Sequence, residues 1–133
     1  MPKHTKNAGL PCPVEDDEQI ALFEWAALNL GRYPEIEYLY HIPNGKYRTI
    51  FEATLLKKMG VKNGVSDIHL PVPRGQYHGM WVELKRARGG RLEQDQRIWL
   101  SAMKRLGYYC VCCEGWQEAA EYIEAYLGDR LSP

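Results

Sequence analysis

The chain has 133 residues, 17 basic and 17 acidic side chains and an apolar fraction of 45%, which suits one soluble domain with a real core and is too short for two. No apolar run approaches the roughly 18 residues of a membrane span, and Met1-Pro2-Lys3-His4-Thr5-Lys6 lacks the apolar core of a signal peptide. The expectation is a cytoplasmic protein with no membrane partner.

Residues 1–12 are polar and irregular and read as a flexible N-terminus, ahead of a domain over 13–128 and a tail over 129–133. Pro13 precedes an acidic first turn, Glu15 to Glu18, which is favourable at the positive end of a helix dipole. The helix predicted there runs to about Leu30, with Gly31 as its stop. Ile20, Phe23, Ala27 and Leu30 fall at helical spacing as its inner stripe. Glu15 and Gln19 stand one turn apart and share a side.

After Tyr33-Pro34, the alternating run Ile36 to Ile42 reads as a strand, closed by the turn Pro43-Asn44-Gly45. His41 and Asn44 occupy its end, where a substrate contact and plain turn chemistry are both open readings. A second helix is predicted from about Ile50 to Met59, with Phe51, Leu55 and Met59 inward, Lys57 and Lys58 outward, and Gly60 closing it.

Next come Gly64-Val65-Ser66-Asp67-Ile68-His69-Leu70 and Met80-Trp81-Val82-Glu83-Leu84-Lys85, separated by a loop punctuated with proline and glycine, which predicts an antiparallel hairpin. Alternation along a strand puts Glu83 and Lys85 on one face and Val82 and Leu84 on the other. With the loop centred near Gln76, Asp67 lies beside that Glu/Lys pair. Two carboxylates and an ammonium then converge within apolar strands, a costly place for charge unless a metal ion offsets it.

Arg86-Ala87-Arg88-Gly89-Gly90-Arg91 follows as a cationic loop suited to phosphates. A third helix, about Leu92 to Leu106, carries Leu92, Trp99, Met103 and Leu106 on its inner stripe. Gln96 falls on the same stripe and needs a partner there, a satisfied core amide being one reading. Tyr108 to Cys113 reads as another strand, and Gly115-Trp116 opens a last amphipathic helix with Ala119, Ala120, Ile123 and Leu127 inward. Cys110, Cys112 and Cys113 lack the spacing of a disulfide framework or a paired zinc site, so they read as reduced thiols on a buried strand. The neutral total hides a basic middle: Lys57 to Arg105 holds eleven Lys/Arg against four Asp/Glu. Such a zone attracts phosphates, although a solvated charge run has the same composition. The element order argues an α/β sandwich around a mixed sheet.

Asp67 followed by Glu83-Leu84-Lys85 has the form of the PD-(D/E)XK nuclease signature, with Ser66-Asp67 in place of the usual Pro-Asp. The flanking residues are His41-Ile42-Pro43-Asn44-Gly45, Gly60-Val61-Lys62-Asn63-Gly64-Val65-Ser66-Asp67, and Gly89-Gly90-Arg91-Leu92 leading to Gln96 and Trp99. In that order they resemble the VRR-NUC family, the virus-type replication-repair nucleases, in its small stand-alone phage form. The likeness runs from roughly Glu15 to Trp116. It implies a single-domain, restriction-endonuclease-like α/β fold with a central mixed sheet flanked by helices. It also implies Mg2+ or Mn2+ held by Asp67, Glu83 and the Leu84 carbonyl, hard oxygen ligands for a hard cation. Lys85 is then the catalytic ammonium, Gln96 sits beside it, and Glu15 assists the metal, with Glu18 as the fallback.

The expected activity is therefore metal-dependent hydrolysis of DNA phosphodiesters, with Asn44, Lys46, Arg48, Lys62, Arg86, Arg88 and Arg91 touching the DNA. The resemblance further implies a homodimer acting on branched DNA such as four-way (Holliday) junctions. Nine tyrosines and four tryptophans exceed what one small core readily hides, leaving material for an interface. The alternatives are a flap- or duplex-nicking nuclease, a monomeric nickase, a restriction-type endonuclease, and a catalytically inactive DNA-binding module.

Overall fold

The computed structural model describes residues 14–43 and 49–131. Asn44, Lys46 and Arg48, and the expected flexible N-terminus, lie outside the described residues. In chain order the elements are helix α1 (Glu15–Leu28), strand β1 (Tyr40–His41), helix α2 (Ile50–Lys58), strands β2 (Ile68–Leu70) and β3 (Met80–Lys85), helix α3 (Gln94–Arg105), strand β4 (Tyr109–Glu114) and helix α4 (Trp116–Leu127). The four strands form one sheet in the order β1-β2-β3-β4. β1, β2 and β3 pair antiparallel, while β4 lies parallel to β3 because α3 carries the chain back across the sheet before β4 begins. The result is the expected α/β fold, a mixed sheet with helices on both faces.

β3 is the strand that the layers share. Its Met80, Val82 and Leu84, with Ile68 and Leu70 of β2, are buried in the core that α1 and α4 close. Trp81, Glu83 and Lys85 project from the opposite face, where α3 packs. α4 contributes Trp116, Ala119, Ala120, Ile123, Tyr126 and Leu127 to the core, so its predicted inner face is the observed one. Each large apolar side chain buried this way contributes about 1.5–3 kcal/mol.

Several elements differ from their sequence reading. α1 buries Glu18, Ala21, Leu22 and Ala26, whereas Ile20 is 60% exposed and the helix ends at Leu28. Apolar residues surround this helix on all sides, so its pattern selects no phase; the alanines win because they let α4 approach closely. Only Tyr40–His41 of the expected strand is extended. Pro34 starts a turn of 3-10 helix over Pro34–Tyr38, and that turn buries Ile36. On α3, Leu100 is the buried residue and Leu106 is exposed, while Leu92 precedes the helix.

α2 departs furthest. Thr49 caps it, its Oγ1 accepting the Glu52 N–H at 3.0 Å, yet the helix buries no residue. Ile50, Phe51, Leu55 and Met59 are 87, 77, 50 and 71% exposed, so the inward placement of Phe51, Leu55 and Met59 is corrected. The helical periodicity is real, but among the described residues nothing buries the face it marks. The aromatic surplus, by contrast, is largely absorbed within one copy. Tyr77, Tyr109 and Tyr126 cluster, and Trp81 sits between His69 and Trp99.

Candidate active site

Ile68 faces Val82 and Leu70 faces Met80, a register that centres the hairpin on Gly75 and sets Asp67 level with Glu83. Asp67 is held on both sides of its peptide. Its carbonyl accepts the Ile42 N–H at 2.8 Å and lies 2.8 Å from His41 Nδ1, while its carboxylate Oδ2 accepts the Leu84 N–H at 2.9 Å. A carbonyl only accepts, so His41 carries a proton on Nδ1.

The approach to Asp67 depends on Gly64. This glycine has φ +86°, and a Cβ there would come within 2.4 Å of the Asp95 carbonyl oxygen at the start of α3. The residue type is therefore set twice, by backbone conformation and by contact with α3.

Glu83, Lys85 and Gln96 form one connected group. Lys85 Nζ donates to Gln96 Oε1 at 2.9 Å and lies 3.7 Å from Glu83 Oε2, and Gln96 Nε2 donates to the same Glu83 oxygen at 3.2 Å. Gln96 Oε1 also accepts the Glu93 N–H at 2.8 Å, so one amide both caps α3 and orients the lysine. Glu-x-x-Gln at a helix start is a capping-box spacing, a signal the sequence offered for this second task. Gly90 folds the loop back over the lysine; a Cβ there would lie 2.8 Å from Lys85 Cβ.

Burial, first, and then the neighbouring Asp67 carboxyl hold the Glu83 carboxyl well above the usual carboxylate range, with Lys85 pulling the other way. Glu83 Oε1 is buried with no hydrogen-bond partner. Two crowded carboxyls, one with an oxygen lacking a donor, and the adjacent Leu84 carbonyl make an all-oxygen donor set. It fits a hard divalent cation, which would take the place of the retained proton. Among the described residues no three His, Cys, Asp or Glu side chains close around one point.

The group opens into a cleft of about 1110 Å³. Asp67, Leu84 and Lys85 line it, with Glu15 and Gln19 of α1, His41, Glu52 of α2, and Arg86, Gly90 and Arg91 of the following loop. Glu15 therefore reaches the cleft from the first turn of α1. Glu18 does not: its Oε1 accepts the Trp116 N–H at 3.0 Å, inside the protein. The fallback metal role for Glu18 is corrected to that of a cap for α4. Arg86 and Arg91 stand on the cleft, whereas Lys62 and Arg88 are exposed away from its lining.

On β4, Cys110 and Cys113 are buried and Cys112 is exposed, all three as free thiols. Burial raises all three thiols above their ordinary value, Cys110 to about 11. The expectation of a wholly buried strand is corrected at Cys112, which is exposed on the edge strand β4.

A profile of the VRR-NUC domain matches residues 15–117. The chain belongs to the VRR-NUC family. A solved structure described as a VRR_NUC domain protein is similar to this VRR-NUC chain with a TM-score of 0.74 at 25% sequence identity, over 89% of this chain and 91% of that one. Among curated proteins none matches. Family membership makes the domain nuclease-type, and no helix among its described residues is long and apolar enough to cross a membrane.

Proposed function

We propose that this VRR-NUC protein is a Mg2+- or Mn2+-dependent DNA endonuclease that cuts branched DNA, four-way junctions first, as a homodimer. The observation that carries the reading is the Lys85–Gln96–Glu83 group beside Asp67, with Lys85 and Asp67 lining an open cleft. Asp67, Glu83 and the Leu84 carbonyl would hold the divalent ion, which would supply Lewis-acid charge at the phosphate and a more acidic water.

The chain's own residues do the rest. Gln96 fixes the Lys85 ammonium at 2.9 Å, so it meets the phosphate preorganised to neutralise the charge that grows there. Asp67, tied through Oδ2 to the Leu84 N–H, keeps its other oxygen for the ion. Glu15 offers a further oxygen from the rim, directly or through water. His41, anchored through Nδ1 to the Asp67 carbonyl, presents its other ring nitrogen to a water or a sugar hydroxyl.

The dimer is supported by α2. Its exposed Ile50, Phe51, Leu55 and Met59 form an apolar face on a nine-residue helix too short to be stable alone in water. A twofold pair supplies two sites for two strands, and it is the commonest closed assembly.

Purified protein assayed with Mg2+, Mn2+, Ca2+ and EDTA on duplex, flap, splayed and four-way DNA tests the reading. Asp67→Ala, Glu83→Ala and Lys85→Ala should each lower cleavage by at least about 10²-fold without unfolding the protein. Full activity in any of the three defeats the proposal.

A further inference from the structure

DNA presents a negative charge at every phosphate, yet the cleft is rich in acid. Among the described residues Glu15, Asp16, Glu52, Asp67 and Glu93 line it together with Lys85, Arg86 and Arg91, Asp16 and Glu52 having partners of their own. Ions offset part of that excess at the reacting phosphate, but they do not hold the strand on either side of it. A grip on the backbone has to come from cations that no carboxylate opposes.

One such place lies next to the cleft. A groove of about 210 Å³ runs between α3 and β4, lined by Arg97, Ser101, Lys104, Cys110 and Cys112 among others, with no carboxylate in its lining. The three polar side chains stand at i, i+4 and i+7 on α3 and so share one face. All three are exposed among the described residues, beside β4 at the edge of the sheet.

The groove is also close to the chemistry. Cys112 pairs with Glu83 across the parallel ladder, and neighbouring strands lie about 4.8 Å apart. Leu92 lines the groove and Glu93 the cleft, so adjacent residues of one loop form the divide. Arg97 Nη2 reaches back toward that divide, donating to the Leu92 carbonyl at 3.4 Å, a long bond that a phosphate oxygen readily replaces.

We propose that the α3/β4 groove binds a backbone phosphate of the DNA strand beside the scissile one, Arg97 and Lys104 supplying the charge and Ser101 a neutral donor. The assignment rests on the endonuclease reading above. It makes the groove a sequence-independent contact that counts only when the substrate extends past the cut on one side.

The test uses the full chain carrying Lys85→Ala, so that DNA is bound without being cut. Affinity is measured by fluorescence anisotropy across a salt series. Adding Arg97→Ala with Lys104→Ala should reduce the slope of log affinity against log salt by about 1, because the two cations neutralise one phosphate. The loss should vanish on substrates trimmed on one side of the cut and persist when the other side is trimmed. Both positions are exposed, and the Gln variants should behave alike with an unchanged unfolding midpoint. Arg105→Ala, a cation of the same helix outside the groove, should leave the slope nearly unchanged.

A second arm follows maleimide labelling of Cys112, with Cys112→Ser as the blank. Bound DNA should slow labelling several-fold. An Arg105→Ala loss equal to that of the groove variant, indifference to which side is trimmed, or unprotected Cys112 overturns the proposal. If the wild-type protein cuts no DNA with Mg2+ or Mn2+, the endonuclease reading fails, while the slope and labelling results still decide the groove by themselves.

Discussion

Glu83 is where the fold and the chemistry pull against each other. With no ion bound, burial and Asp67 keep its carboxyl protonated above the ordinary value of 4.5. Below that value the folded and unfolded chains hold this proton equally, and the group's full contribution to stability is present. As pH rises, the unfolded chain releases the proton first, so stability falls through the window between the ordinary value and the raised one. Glu83→Gln should therefore unfold at a higher temperature than wild type at neutral pH without divalent ions, and its advantage should shrink toward pH 4. Scanning calorimetry across pH checks this. Mg2+ or Mn2+ should stabilise wild type more at pH 8 than at pH 5, because the ion competes with that proton, and should do little for Glu83→Gln. Gln96 acts on the neighbouring group. Gln96→Ala removes the acceptor that aims Lys85, so kcat should fall by roughly tenfold or more while KM changes little, the mark of an interaction that matters most in the transition state.

At the scale of elements, the site depends on how α1 and α3 are clamped to the sheet. Glu18 accepts the Trp116 N–H at 3.0 Å, and the adjacent Gly115 N–H donates to the Lys85 carbonyl at 2.8 Å. α1 thereby fixes the start of α4, and that turn fixes the end of β3. Glu18→Ala should cost about 1–3 kcal/mol by leaving a buried donor unsatisfied. Glu18→Gln, which keeps an acceptor oxygen, should cost clearly less in urea denaturation. Gly64 does the same work for α3. Gly64→Ala forces a β-carbon onto the Asp95 carbonyl at a left-handed φ, so a loss of roughly 2–4 kcal/mol is expected, with weakened cleavage because Asp67 follows three residues later. Equal stability of Gly64→Ala and wild type in urea would show that the loop relaxes freely.

For the whole molecule, the exposed apolar side chains of α2 set the prediction. Phe51→Ser with Leu55→Ser should convert a homodimer to a monomer by light scattering coupled to size-exclusion chromatography. Paired nicks on a four-way junction should become independent ones, while single-strand nicking per site survives. A wild-type protein that already runs as a monomer sinks the dimer and leaves the nuclease standing, since the cleft is built within one copy.

Much of this was legible before any coordinates. The hairpin, the order of elements and the inner face of α4 follow from local patterns: strand alternation, glycine and proline punctuation, and a clean helical stripe. The convergence of Asp67, Glu83 and Lys85 follows too, because a hairpin needs only a turn position to bring its strands into register. The family resemblance, carried by the motif order, added what those patterns do not hold, namely which glutamine stands beside the lysine. The phase of α1 was not legible, since apolar residues lie all round it and only contact with α4 chooses among them. Nor was the exposure of α2, because periodicity reveals a face without revealing whether anything covers it. The diversion of Glu18 to the α4 N-terminus and the α3/β4 groove both join residues far apart in the chain. A sequence states which side chains share a helix face or a strand; which two faces meet is decided only when the core closes.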